Sequence, residues 1–150
     1  MTLDASKLAV GTIILGIVVL ALKWIAFRMT GSVALYSDAL ESVVNIVAAV
    51  MALVAIRISA RPPDANHPYG HSKAEYLSAV MEGAMIVLAA ILIMQEAVTA
   101  LRSPRALDAP AAGLAVNGLA TLLNVAWAIV LIRWGARIRS PALAADGRHL

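Results

Sequence analysis

The sequence predicts an all-α protein, a polytopic transmembrane helix bundle with four full spans and the start of a fifth. The composition is the first reason: 61% of the 150 residues are hydrophobic, only 14% are charged, and the mean hydropathy is +0.84. Soluble domains rarely have this composition. The net charge is +3, and the basic residues lie mainly at the ends of apolar runs. This placement is typical of residues that orient a membrane protein and does not indicate nucleic-acid binding.

The second reason is the length of the apolar stretches, because crossing the hydrocarbon core takes about 20 residues. Residues 8–27, 32–56, 74–101 and 111–132 each meet this requirement. Short connections rich in proline and glycine separate them, with Pro104 and Pro110 between the third and the fourth. The first stretch could also be a signal peptide, but three further spans follow it. Pro141, directly after Ser140, predicts the start of a fifth helix.

The ends of these stretches predict orientation. With a cytoplasmic N-terminus, seven Lys and Arg residues fall inside and three outside, which favours a multi-pass protein of the cell (inner) membrane with its N-terminus in the cytoplasm. The inside set is Lys7, Arg57, Arg61, Lys73, Arg133, Arg137 and Arg139, and the outside set is Arg28, Arg102 and Arg105. The chain stops at Leu150, early in the fifth helix, so we expect a fragment of a longer protein.

Two stretches share the pattern S-x-A-L-x-x-D-x-x-(E or H), at residues 32–41 and 140–149. The first copy opens the second span and runs from outside to inside, and the second copy opens the fifth helix and runs the other way. Glu41 and His149 therefore each lie about 14 Å from their own membrane surface, near the middle of the bilayer. Transporters often bind their substrate at this depth, between repeated elements.

Glu41 and Asn45 are four residues apart and share one helix face, with Asp38 beside them but closer to the interface. A carboxylate inside the membrane costs at least about 3 kcal/mol, so it needs a partner, a proton or a cation. Together with His149, these nitrogen and oxygen donors suit Zn²⁺, Fe²⁺, Co²⁺, Ni²⁺ or Mn²⁺. The alternative for each polar residue is a structural hydrogen bond to a neighbouring helix, and it is strongest for Asp38 and Asn45.

The loop between the second and third spans holds Asp64, His67 and His71. Two imidazoles and a carboxylate this close together form a candidate second metal site, and the alternative is a polar cytoplasmic loop with incidental histidines.

The third span carries Glu75 and Glu82, seven residues apart on one helix face. We expect them to form structural ion pairs, and the candidate partners are Lys73, Arg57 and Lys23. The sequence has no cysteine, no H-E-x-x-H, no Walker loop and no G-x-S-x-G. Nothing therefore supports an enzyme or an organic cofactor.

Residues 31–41, 66–75 and 140–149 resemble the cation diffusion facilitator (cation efflux) family, and H-P-Y-G-H-x-K-A-E within 66–75 is the most specific part. The resemblance implies that residues 1–150 are a cation efflux transmembrane domain that lacks most of helix five, helix six and a cytoplasmic C-terminal domain. It implies a homodimer and metal²⁺/proton antiport. On this sequence the family's transport-site positions are Glu41, Asn45 and His149, and its loop site maps onto Asp64, His67 and His71.

The chain departs from the family at two of these positions. Members commonly have Asp or His where this chain has Glu41, and Asp where it has Asn45. The lost carboxylate leaves the choice among zinc, iron, cobalt, nickel and manganese open. The expected function is export of the metal from the cytoplasm, with membrane lipid, a second copy, the metal ion and protons as partners, and no nucleic acid. The alternative is a non-transporting metal-binding membrane subunit or truncated dimerisation partner.

Overall fold

The computed structural model describes residues 4–102 and 108–150, which form five helices. They are α1 (Ala5–Thr30), α2 (Val33–Ser59), α3 (Lys73–Arg102), α4 (Pro110–Ile138) and α5 (Pro141–His149). The first four are long and apolar enough to cross a membrane, so the predicted all-α bundle is confirmed. The first, third and fourth predicted spans lie within their helices, and the second does so except for Ser32, which is the N-cap of α2. Pro104 and Arg105, used in the predictions above, lie outside the described residues.

Both copies of the repeat are helix N-termini. The Oγ atoms of Ser32 and Ser140 accept hydrogen bonds from the backbone N–H groups of Leu35 and Leu143, each at 3.5 Å. Such caps satisfy backbone donors that a helix leaves unpaired at its start. Pro141 occupies the first turn of α5, as predicted. The shared S-x-A-L therefore encodes a capped start, and the Asp that follows each cap lies about a turn and a half into its helix.

The short helix α5 lies at the centre of the bundle, where it contacts α1, α2, α3 and α4. Its Leu143 is fully buried in a core with Leu8 of α1 and Leu131 of α4. The crossing of α4 and α5 is close because glycines lie in it: a Cβ added to Gly147 would meet the Leu131 Cβ at 2.8 Å. Polar groups on α5 are therefore held inside the bundle, facing the other helices.

Around this centre, α1 packs between α2 and α4, and α3 packs on α2 and α5. The indole N–H of Trp127 donates to Thr12 Oγ1 at 2.9 Å, which ties α4 to α1. Helix α3 buries only Ser78 and Glu82, and its exposed side chains are mostly apolar. An apolar outer surface suits contact with lipid, so the one buried carboxylate of α3 faces inward.

Candidate metal centres

The first candidate centre begins on α2, where Glu41 and Asn45 lie one turn apart. Asn45 is buried, and its Oδ1 has no hydrogen-bond partner among the described residues. Glu41 is half-buried and lines a groove of about 570 Å³ between α2 and α3. An unpartnered amide oxygen and a carboxylate on one helix face are therefore available to a cation.

Helix α5 supplies the opposite side of this centre. His149 is half-buried, and its Nε2 is enclosed without a hydrogen-bond partner in the described parts of the chain. Helices α2 and α5 are in contact, and the Glu41 carboxylate lies within electrostatic range of the His149 imidazole. The arrangement offers carboxylate, amide and imidazole donors, a set that first-row divalent metals accept. Their role as metal ligands stays a prediction.

Asp38 has a different environment, although it lines the same groove. Its Oδ1 lies 2.6 Å from Lys23 Nζ of α1, with side-chain exposures of 26% for Asp38 and 6% for Lys23. The lysine thus neutralises the carboxylate that stands first in the acidic stretch. Asp38 therefore makes a structural contact with a neighbouring helix, which is the alternative to metal binding given for it above.

Glu75, at the start of α3, joins three helix ends. Its Oε1 accepts a hydrogen bond from Ser59 Oγ at 3.1 Å, near the end of α2. Its Oε2 accepts another from Ser140 Oγ, the cap of α5. This carboxylate therefore helps to fix the start of α5 against α2 and α3.

The expected ion pairs of Glu75 and Glu82 were wrong. Among the described residues neither carboxylate lies within ion-pair distance of a basic group. The reason is that Lys73 and Arg57 are exposed and can reach polar surroundings, whereas Lys23 is already paired with Asp38. Glu82 is therefore a buried carboxylate with no counter-ion in the part of the chain that the structure describes.

Sequence reasoning also passed over Asp146, which is 1% exposed and has an unpartnered Oδ2. The signal was present, because Asp146 fills the aspartate position of the second repeat copy. The metal-ligand pattern alone points to His149, one turn later, and not to Asp146. The bundle thus contains a further buried acidic pair, Glu82 and Asp146, outside the predicted metal ligands.

The loop between α2 and α3 brings Asp64, His67 and His71 together. Asp64 Oδ1 lies 3.1 Å from His67 Nδ1, and Asp64 Oδ2 lies 3.4 Å from His71 Nε2. One ligand atom from each residue falls within 4.8 Å of the others. Two imidazoles and a carboxylate at this separation could hold Zn²⁺ or a similar ion with water completing its coordination. Their use as ligands also stays a prediction.

The Asp64 carboxylate is fixed by the loop backbone. Its Oδ1 accepts hydrogen bonds from the N–H groups of His67 at 2.7 Å and Asn66 at 2.9 Å. The His67 backbone bond is the largest cause that lowers the pKa of Asp64 below its ordinary value, and the imidazole of His67 adds to it. The ionised carboxylate, which is the form a metal needs, is therefore favoured before any ion binds.

Together, the fold and these sites define a multi-pass membrane protein. It carries carboxylate, amide and imidazole groups of the kind that bind metals, both inside its helix bundle and in one loop. The model of the cation efflux transmembrane domain matches residues 9–150, and the chain belongs to the cation efflux family. This confirms the resemblance drawn from the three sequence segments.

Curated relatives agree with this assignment. An uncharacterized transporter of Synechocystis sp. is 50% identical over 131 residues, which cover 87% of this chain and 42% of that protein. The cation-efflux pump FieF of Cronobacter sakazakii is 31% identical over 145 residues, covering 96% and 48%. The pump of the same name from Serratia proteamaculans is 35% identical over 133 residues, covering 88% and 44%. The chain therefore spans less than half of the length of these relatives.

Proposed function

We propose that this chain is the membrane part of a divalent metal transporter that exports metal from the cytoplasm in exchange for protons. The observation that carries the proposal is the placement of Glu41 on α2 within electrostatic range of His149 on α5, inside a bundle of membrane-length helices. Asn45, one turn from Glu41, adds an unpartnered buried oxygen. The printed names of the relatives, a transporter and cation-efflux pumps, support the same class.

The path we propose begins at the cytoplasmic loop and ends on the other side of the membrane. The metal first meets Asp64, His67 and His71, then binds at Glu41, Asn45 and His149. Carboxylate and imidazole groups bind a metal only in their deprotonated forms, so protons arriving from the outer side displace it. Rocking of the helices around the site would then release the ion outward.

The donor set limits the cargo. Nitrogen and oxygen ligands without sulfur suit Zn²⁺, Fe²⁺, Co²⁺, Ni²⁺ and Mn²⁺ and disfavour Cu⁺. We further propose a homodimer in the cell (inner) membrane with its N-terminus in the cytoplasm, which places the histidine loop on the side from which metal enters. The proposal assigns no enzymatic step to the chain.

The test is metal-driven proton flux in lipid vesicles, measured with an internal pH dye after addition of each of the five metal ions. Glu41→Ala is expected to abolish the flux, because it removes the charged ligand. Glu96→Ala is the matched control, a half-buried glutamate of α3 that lines neither proposed site, and it should transport as the wild type does. Undiminished flux in Glu41→Ala would refute the proposal. Wild-type vesicles that bind metal without transporting it would instead favour the non-transporting subunit.

A further inference from the structure

A second polar cluster lies inside the bundle, away from the groups assigned to metal. Glu82 of α3 is 3% exposed and Asp146 of α5 is 1% exposed. Each has one carboxylate oxygen, Glu82 Oε1 and Asp146 Oδ2, that is enclosed without a hydrogen-bond partner among the described residues. The two side chains are near enough for their charges to repel one another. These are two deeply buried acids, each with an acceptor atom that no described residue satisfies.

Among the described residues, the neighbouring helices offer Asp146 a hydroxyl but no cation within ion-pair distance. Thr12 of α1 faces Asp146. The Thr12 hydroxyl, however, donates to the Leu8 carbonyl at 3.2 Å and accepts the Trp127 indole N–H, so its single proton already has an acceptor. The Thr12 hydroxyl alone therefore does not balance a negative charge on Asp146.

The charged groups of the packed helices are engaged elsewhere. Lys23 of α1 pairs with Asp38, and Glu41 of α2 faces His149 of α5. Glu75, two turns before Glu82 on α3, accepts hydrogen bonds from two serines. The arginines of α2, α4 and α5 are exposed. Within the described chain the acidic pair thus has no basic partner.

Two carboxylates in this environment cannot both stay ionised, because burial and mutual repulsion each disfavour the second charge. Protonation removes a charge and also turns an acceptor oxygen into a donor, which lets a buried carboxyl group bond a neighbouring acceptor. We propose that Glu82 and Asp146 form a proton-binding site within the membrane, separate from the metal ligands and occupied by a proton at neutral pH.

The position of this pair connects it to transport. Asp146 lies one helical turn before His149, so a divalent ion at Glu41, Asn45 and His149 would place positive charge close to the acidic pair. That charge favours the ionised form of Asp146 and expels the proton. This coupling rests on the proposed transport function, whereas the proton site itself does not.

The proton site is tested by infrared spectroscopy of the protein in lipid, without any metal. A protonated carboxylic acid has a C=O stretching band distinct from the carboxylate bands, and we expect it in the wild type at neutral pH. Glu82→Gln combined with Asp146→Asn should remove it, while Glu96→Gln, on the same helix as Glu82, should keep it. If the wild type lacks the band, the proposal is overturned. It is also overturned if the band persists in the folded double variant.

The coupling is tested by adding Zn²⁺ to the weakly buffered protein and measuring proton release with a pH dye. The double variant should bind the same amount of Zn²⁺ but release about one proton fewer per ion. Equal release from the two proteins overturns the coupling. The proton site and the transport site can fail separately. If the infrared band depends on Glu82 and Asp146 but Glu41→Ala transports normally, the proton site is retained and the transport site is refuted.

Discussion

The ion pair between Lys23 and Asp38 gives a quantitative prediction about how this bundle is held together. Lys23→Met removes the ammonium group and leaves a carboxylate that is 26% exposed to the groove beside α2. Asp38→Asn removes the carboxylate and leaves an ammonium group that is only 6% exposed. Each variant leaves one charged group without its partner, and the lysine left by Asp38→Asn is less exposed than the aspartate left by Lys23→Met.

The magnitude follows from how deeply each group is buried. Removing one partner of a buried ion pair costs about 3–5 kcal/mol of unfolding free energy. Because Asp38 reaches the groove, we expect Lys23→Met near the lower end of this range and Asp38→Asn near the upper end. Replacing both partners with uncharged residues, Lys23→Met with Asp38→Asn, removes both charges and should lower the stability by no more than about 1 kcal/mol.

The assay is equilibrium unfolding in mixed detergent micelles, with the four proteins arranged as a double-mutant cycle. Lys7→Met is the matched control, an exposed lysine of the same helix whose loss should change stability by less than about 0.5 kcal/mol. The reasoning is refuted if either single variant behaves like this control. It is equally refuted if the double variant loses the sum of the two single losses, because the two groups would then act independently.

Two further predictions concern packing and the histidine loop. Gly147→Ala should destabilise the protein by about 1–3 kcal/mol in the same unfolding assay, because its Cβ would lie 2.8 Å from the Leu131 Cβ. Gly118→Ala, with no atom within 4 Å of the added Cβ, should instead be neutral or gain up to about 1 kcal/mol. The lowered pKa of Asp64 means that its hydrogen-bonded loop is favoured above the ordinary pKa of 3.8 and is lost as pH falls through the lower folded value. The NMR shift of the His67 amide proton should therefore titrate with a midpoint below 3.8, and a midpoint at or above it would contradict this.

The helices were predictable because their signals are local. About 20 consecutive apolar residues determine a span wherever its neighbours lie, and Ser140 followed by Pro141 specifies a helix start within a few residues. The loop cluster was predictable for the same reason, since Asp64, His67 and His71 stand close in sequence. The partners of the buried charges were not predictable in this way, because Lys23 and Glu75 find theirs on other helices.

The two aspartates of the repeat show most directly what a local pattern leaves undetermined. Asp38 and Asp146 hold the same position after equivalent serine caps, yet Asp38 pairs with Lys23, whereas Asp146 lies within electrostatic range of Glu82. The antiparallel copies present their aspartates to different neighbours, one basic and one acidic. The first aspartate therefore forms an ion pair, while the second has no cation beside it among the described residues, which is why we propose that it shares a proton with Glu82. The two aspartates differ because α1 packs a lysine beside Asp38 and α3 packs a glutamate near Asp146. Asp38 therefore has a structural role, whereas Asp146 is the one that we propose exchanges a proton.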